Sequence, residues 1–206
     1  MEILLVRHGE TEGNVAKRHQ SDATQLTDRG RVQIEEAAKR LVEMKPTHLI
    51  SSPVLRALES SRMIGIVLDM IPETNPLFVE LDRPKFLHGN FHKSIGSLWF
   101  YTRWYFGIAN NAKHGGESYK ALRERVALAQ EFLMNYPADA RIVIVSHSVF
   151  INFFLAHLCT KRPLNPIQAG IRFLKVLAIK NGSITKVDYD ATESRKNCQW
   201  RTEKLV

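Results

Sequence analysis

Two runs of four consecutive apolar residues, Ile3-Leu4-Leu5-Val6 and Ile142-Val143-Ile144-Val145, constrain the fold of this chain most. Each is unbroken and short, and reads as a buried strand rather than a surface one. Strands are expected over residues 2–8 and 141–145, with a third over 48–52. Helical signals lie between them. Thr27 reads as an N-cap with Asp28 in the first turn, and Ile34, Ala37, Ala38 and Leu41 follow at helical spacing. Pro53 can open a helix reaching about residue 70. After Gly116, the residues Leu122, Val126, Ala129 and Leu133 form another apolar stripe. A helix over 149–158 follows the last of the three strands. Residues 173–179 and 184–189 flank Asn181-Gly182, a strong hairpin signal.

This order predicts an α/β fold of three layers. Its central sheet is mostly parallel, with helices on both faces and an antiparallel edge hairpin. The 206 residues suffice for one core, so a single catalytic domain over 1–190 is expected, followed by a polar tail over 191–206. No segment approaches the roughly 18 apolar residues of a membrane span. Glu2 stands where a signal peptide carries positive charge, so a cytoplasmic protein with no membrane partner is expected. Cys159 and Cys198 give no disulfide framework or metal cluster; Cys159 reads as a buried spectator. The net charge of +8 favours anionic partners. The positive charges are dispersed, however, and the densest basic stretch, over 194–204, holds only one aromatic, Trp200. A nucleic-acid partner is not expected.

Ligand sites in parallel sheets gather at the carboxyl ends of strands. Arg7-His8 ends the first strand, Ser51-Ser52 the second and Ser146-His147 the third, so all three tips should meet at one rim. Gly9 would let the backbone approach a ligand, and Arg7 supplies a planar fork of donors suited to phosphate. Asn14 can add a neutral donor. Arg56 falls in the first turn of a helix whose amino end attracts anions. Singly, each has an ordinary reading: a surface arginine, a satisfied interior histidine. Together, two histidines and two arginines make a cationic pocket able to stabilise a phosphoryl group in flight. Acidic residues near the tips are too few for a two-metal cluster, so no metal and no cofactor are expected.

These motifs resemble the histidine phosphatase superfamily, also called the phosphoglycerate mutase-like family. The resemblance rests on Arg7-His8-Gly9-Glu10-Thr11 with Asn14, Leu26-Thr27-Asp28-Arg29-Gly30, and Ser51-Ser52-Pro53 with Arg56. It continues with Glu80, Gly116-Glu117-Ser118 and Val145-Ser146-His147. It implies that His8 is the phosphorylated nucleophile and that Arg7, Arg56 and His147, assisted by Asn14, bind the phosphoryl oxygens. It also implies that Glu80 protonates the leaving oxygen, with Asp82 as a rival two residues on. The chain departs from the family at Ser148, where glycine is frequent. A second departure is 87–93, where many members carry a Gly-aromatic-Glu-Gly context. The stretch Gly-Glu-Thr-Glu-Gly-Asn after His8 resembles the phosphatase branch, since the mutase branch usually has a serine and a tryptophan there.

The expected activity is a metal-independent phosphomonoesterase acting on a phosphorylated small molecule or phosphoprotein. A cofactor-dependent phosphoglycerate mutase and a non-catalytic phospho-ligand binder are the rivals. The aromatic stretch 99–106 has three readings: a cap over the site, a partner surface, or core packing of a short helix. Oligomeric state is not legible.

Overall fold

A computed structural model describes residues 1–92, 94–108, 116–160, 162–193 and 198–203. The basic stretch over 194–204 lies outside them except for 198–203.

Six strands form one sheet in the order β3-β2-β4-β1-β5-β6. They are β1 (Glu2–Arg7), β2 (His48–Ser51), β3 (Glu73–Thr74), β4 (Arg141–Ser146), β5 (Ile184–Tyr189) and β6 (Trp200–Glu203). The first four are parallel; β5 runs antiparallel to β1, and β6 antiparallel to β5. The helices are α1 (Glu12–Val15), α2 (Asp28–Glu43), α3 (Leu55–Leu68), α4 (Ile95–Tyr105), α5 (Tyr119–Leu133), α6 (Ser148–Ala156) and α7 (Pro166–Ala178).

The two apolar runs are unbroken because both faces of the sheet are covered. Ile3, Leu5, Ile142 and Ile144 point to a core shared with α4, α5 and α6. Leu4, Val6, Val143 and Val145 point to a second core under α2 and α3. Thr27 caps α2 by accepting the Gly30 amide, and Ile34, Ala37, Ala38 and Leu41 are buried as expected. The stripe Leu122, Val126, Ala129 and Leu133 is fully buried on α5. Helix α3 starts two residues later than expected, with Val54 at its N-cap, which leaves Arg56 in the first turn.

Two expectations fail. The segment 173–179 is not a strand but the second half of α7. Asn165 and Gln168 form a reciprocal capping box with Pro166 in the first turn, and this start signal commits the apolar run to a helix. Asn181-Gly182 therefore turns the chain from α7 into β5, with Gly182 at φ +70° donating its amide to the Arg7 carbonyl. The antiparallel edge hairpin is instead β5 with β6. Part of the segment read as a polar tail thus completes the sheet, and Trp200 is buried against Phe154 and Tyr189.

The second correction concerns the cysteines. Cys159 and Cys198 form a disulfide, with Cα atoms 5.1 Å apart. It ties β6 to the end of α6 across 39 residues, a closure worth about 4 kcal/mol in a chain-entropy model. Among the described residues, no helix is long and apolar enough to cross a membrane.

Candidate active site

The three strand tips meet. Arg7 lies in register with Ser146 across the β1–β4 pair, and the His8 amide donates to the Ser146 carbonyl at 3.0 Å. The Ser52 amide donates to the Val145 carbonyl at 2.9 Å. His8 and His147 consequently face each other with ring centroids 5.1 Å apart. One cavity of about 990 Å³ opens over this rim, and Arg7, His8, Asn14, Arg56 and Glu80 all line it. His147 is fully buried beside the His8 ring.

The His8 ring is held in one tautomer. Its Nδ1 lies 2.7 Å from the Gly9 carbonyl oxygen, which can only accept, so the proton sits on Nδ1 and Nε2 keeps its lone pair. Burial, then the charges of Arg56 and Arg7, hold the His8 pKa well below the ordinary 6.5. The ring is therefore neutral at pH 7, as a nucleophile must be. Gly9 plays a different part from the one expected. A Cβ there would collide with the Gly30 carbonyl oxygen, so its bareness lets the β1 tip approach the start of α2 rather than a ligand.

His147 Nε2 lies 2.8 Å from Ser52 Oγ. That hydroxyl accepts the Val54 amide and can give its own hydrogen to Nε2, the arrangement in which the His147 proton sits on Nδ1. His147 is also held neutral, by burial and then by Arg56, His8 and Arg7. Nδ1 of His147 and Nε of both Arg7 and Arg56 are buried without a partner among the described residues. Buried donors are seldom left so, and three of them at one rim mark a place for an anion. Arg7 and Arg56 spend one nitrogen each on a carbonyl, Ile179 at 2.5 Å and Ser21 at 3.1 Å. Burial, offset in part by Glu80, lowers the Arg7 pKa to about 10, so it stays charged at neutral pH.

Asn14 Oδ1 accepts from the amide and hydroxyl of Thr11 and from Asn181 Nδ2 at 3.0 Å. Its oxygen is engaged, and its amide NH₂ is the end left for a ligand. Glu80 sits at the amino end of α6, accepting from Leu81 at 2.9 Å, Phe150 at 3.2 Å and Val149 at 3.4 Å. Arg125 braces the same loop by binding the Leu77 and Val79 carbonyls while paired with Glu117. Asp82 is exposed and does not line the cavity.

Sequence reasoning missed several neighbours. Arg83 lines the cavity and donates through Nε to the Tyr101 hydroxyl at 2.7 Å. Asn181, read as a turn residue, also holds the His8 carbonyl at 3.0 Å. The aromatic stretch divides its work: Phe100 is core, Tyr101, Tyr105 and Phe106 line the cavity, and Trp104 does both. Trp99 is exposed beneath Arg103.

The buried imidazoles have a cost that pH exposes. His8, His147 and His19 are all depressed, chiefly by burial, and His19 is driven down to about 3. The unfolded chain takes up their protons near pH 6.5, and the folded protein does not. The stability they contribute is complete above that pH and drains as pH falls below it, until each folded-state pKa is reached. Each should cost about 1.4 kcal/mol per pH unit once well below 6.5, so these three cost about 4 kcal/mol per unit, and His157, likewise buried and depressed, adds to the slope. Urea midpoints measured between pH 7.5 and 5 should fall steeply on the acid side. A flat profile would mean that these rings are protonated in the folded protein.

Comparison with known proteins shows the family and the fold. The family model described as Histidine phosphatase superfamily (branch 1) matches residues 3–199. A protein of Proteus mirabilis named "Probable phosphoglycerate mutase GpmB" is 29% identical over 195 residues, covering 92% of this chain and 85% of that one. Among solved structures, the mycobacterial glucosyl-3-phosphoglycerate phosphatase superposes with a TM-score of 0.72 at 22% identity, covering 98% and 97% of the two chains. The alpha-ribazole phosphatase of Shigella flexneri gives 0.75 at 20% identity, covering 100% and 96%. At such identities the structures establish the fold.

Proposed function

Because the chain belongs to the histidine phosphatase superfamily (branch 1), we propose that it is a metal-independent phosphomonoesterase working through a phosphohistidine at His8. The observation that carries this reading is the His8 ring: neutral, with its proton on the Gly9 side and its cavity-lining position beside Arg7 and Arg56. Nε2 attacks phosphorus in line as the P–O bond to the leaving group breaks. The ring becomes cationic, and the Nδ1–H bond to the Gly9 carbonyl strengthens as it does. Arg7, Arg56, the Asn14 amide and His147 Nδ1–H receive the charge on the equatorial oxygens. Glu80 gives its proton to the leaving oxygen, then takes one from the water that attacks phosphorus and frees Nε2.

The phosphoglycerate mutase reading draws support from the name of the Proteus mirabilis relative. It differs only in the second half-reaction, where the phosphoryl group returns to a phosphoglycerate instead of going to water. The stretch after His8 favours the phosphatase.

Glu80 as proton donor is tested by leaving-group chemistry. An alkoxide needs a proton as it leaves, and a nitrophenolate does not. Glu80→Gln should slow phosphoenzyme formation from an alkyl phosphate by roughly 10²- to 10⁴-fold, and from p-nitrophenyl phosphate far less, in single turnover. Asp82→Asn should leave the ratio of the two rates unchanged. If Asp82→Asn alone shifts that ratio, the two carboxylates exchange roles.

A further inference from the structure

The cavity is much larger than its phosphoryl end requires. At about 990 Å³ it stands at the top of the range for small-molecule pockets. Its chemistry is divided by element. The β1 tip, the first turn of α3, the loop after β3 and Lys17 after α1 supply the charged groups. The opposite contribution comes from α4, α6 and α7 and is mostly apolar: Leu98, Tyr105, Phe106, Phe153, Ala169 and Val176, with the hydroxyls of Thr102 and Ser148 beside them. The segment after α1 brings Lys17, His19 and Gln20 to the same cavity, where His19 Nε2 is paired with Ser97 at 3.0 Å and Gln20 Oε1 accepts from Thr11 at 2.6 Å.

This apolar wall is anchored in place. Trp104 Nε1 donates to the Glu117 carbonyl at 2.7 Å, and the Tyr105 hydroxyl donates to the Leu164 carbonyl just before α7. The Tyr105 ring packs on Tyr119 at 5.4 Å. The wall therefore exists before substrate arrives, and what it can gain on binding is apolar burial.

We propose that the leaving group of the substrate is a bulky apolar alcohol, so that the enzyme acts on amphiphilic phosphomonoesters in preference to sugar or three-carbon acid phosphates. The inference rests on the phosphomonoesterase reading and adds the substrate class. A hydroxyl-rich leaving group would lose water against these apolar side chains without gaining partners from them, at about tenfold or more per unpaired hydroxyl. An alkyl or aryl body loses nothing and buries its surface.

The test is kcat/KM for n-alkyl phosphates from ethyl to octyl, each below its micellar concentration, with glycerol 3-phosphate and p-nitrophenyl phosphate alongside. The leaving alcohols have nearly equal acidity, so chemistry is constant and only burial changes. kcat/KM should rise about two- to fourfold per methylene until the cavity fills, and butyl phosphate should exceed glycerol 3-phosphate by at least tenfold. Leu98→Asp and Ala169→Asp place a carboxylate in the wall and should each lower the octyl-to-ethyl ratio by about tenfold or more. That ratio is unaffected by any inactive fraction in a preparation. A ratio near one in the wild-type protein, or one unmoved by both variants, overturns the inference while leaving the phosphatase reading intact. No phosphate release from any ester, p-nitrophenyl phosphate included, would instead defeat the phosphatase reading itself.

Discussion

His8→Ala is expected to lower kcat for p-nitrophenyl phosphate by on the order of 10⁴-fold or more, with no comparable loss of fold. The imidazole is nearly inaccessible, 3% exposed, and neutral beside two buried guanidinium groups. His147 lies 5.1 Å away, but its Nε2 is engaged by Ser52. The variant keeps Arg7, Arg56 and the helix-bound Glu80, so phosphate binding should survive the loss of turnover. Retention of activity within tenfold would move the nucleophile elsewhere.

Arg56→Ala should cost about 10² to 10³ in kcat. Arg56 is almost fully buried in the first turn of α3, and burial is the main cause of its lowered pKa. A cation kept in so dry a place, with its Nε unpaired, is costly until an anion arrives. The stabilisation it gives is therefore largest when charge on the equatorial oxygens is largest. Arg56→Lys keeps the charge but loses the planar fork, and should recover only part of the rate. The rise in melting temperature caused by phosphate should shrink in both variants. A change confined to KM would mean that Arg56 grips ground state and transition state alike.

The strand tips were legible because two physical signals coincide there. Unbroken apolar runs mark strands covered on both faces, and the first polar residues after them, Arg7-His8 and Ser146-His147, must emerge at the rim. Glu80 carried no such signal. It lies in a loop, and only resemblance to the family singled it out; its hold on the α6 amides depends on residues about seventy positions away. The hairpin at Asn181-Gly182 was misread for a local reason. An apolar run such as Phe173-Leu174-Lys175-Val176-Leu177 suits helix or strand equally, and the deciding information sat earlier, in Asn165, Pro166 and Gln168. Arg83 was invisible, and Tyr101 stood out only as one of the aromatic stretch 99–106, because their partnership spans 18 positions between two loosely patterned segments. The Cys159–Cys198 bond likewise joins residues whose proximity exists only once β6 is in the sheet.

The central claim is a covalent bond between His8 Nε2 and phosphorus. It is tested most directly by rapid quench of the wild-type protein with a ³²P-labelled monoester, followed by peptide mapping of the trapped label. One acid-labile, base-stable phosphoryl group is expected on the peptide carrying His8, formed before phosphate release and discharged to water. A full rate of phosphate release with no trapped label, or label on another residue, would contradict it.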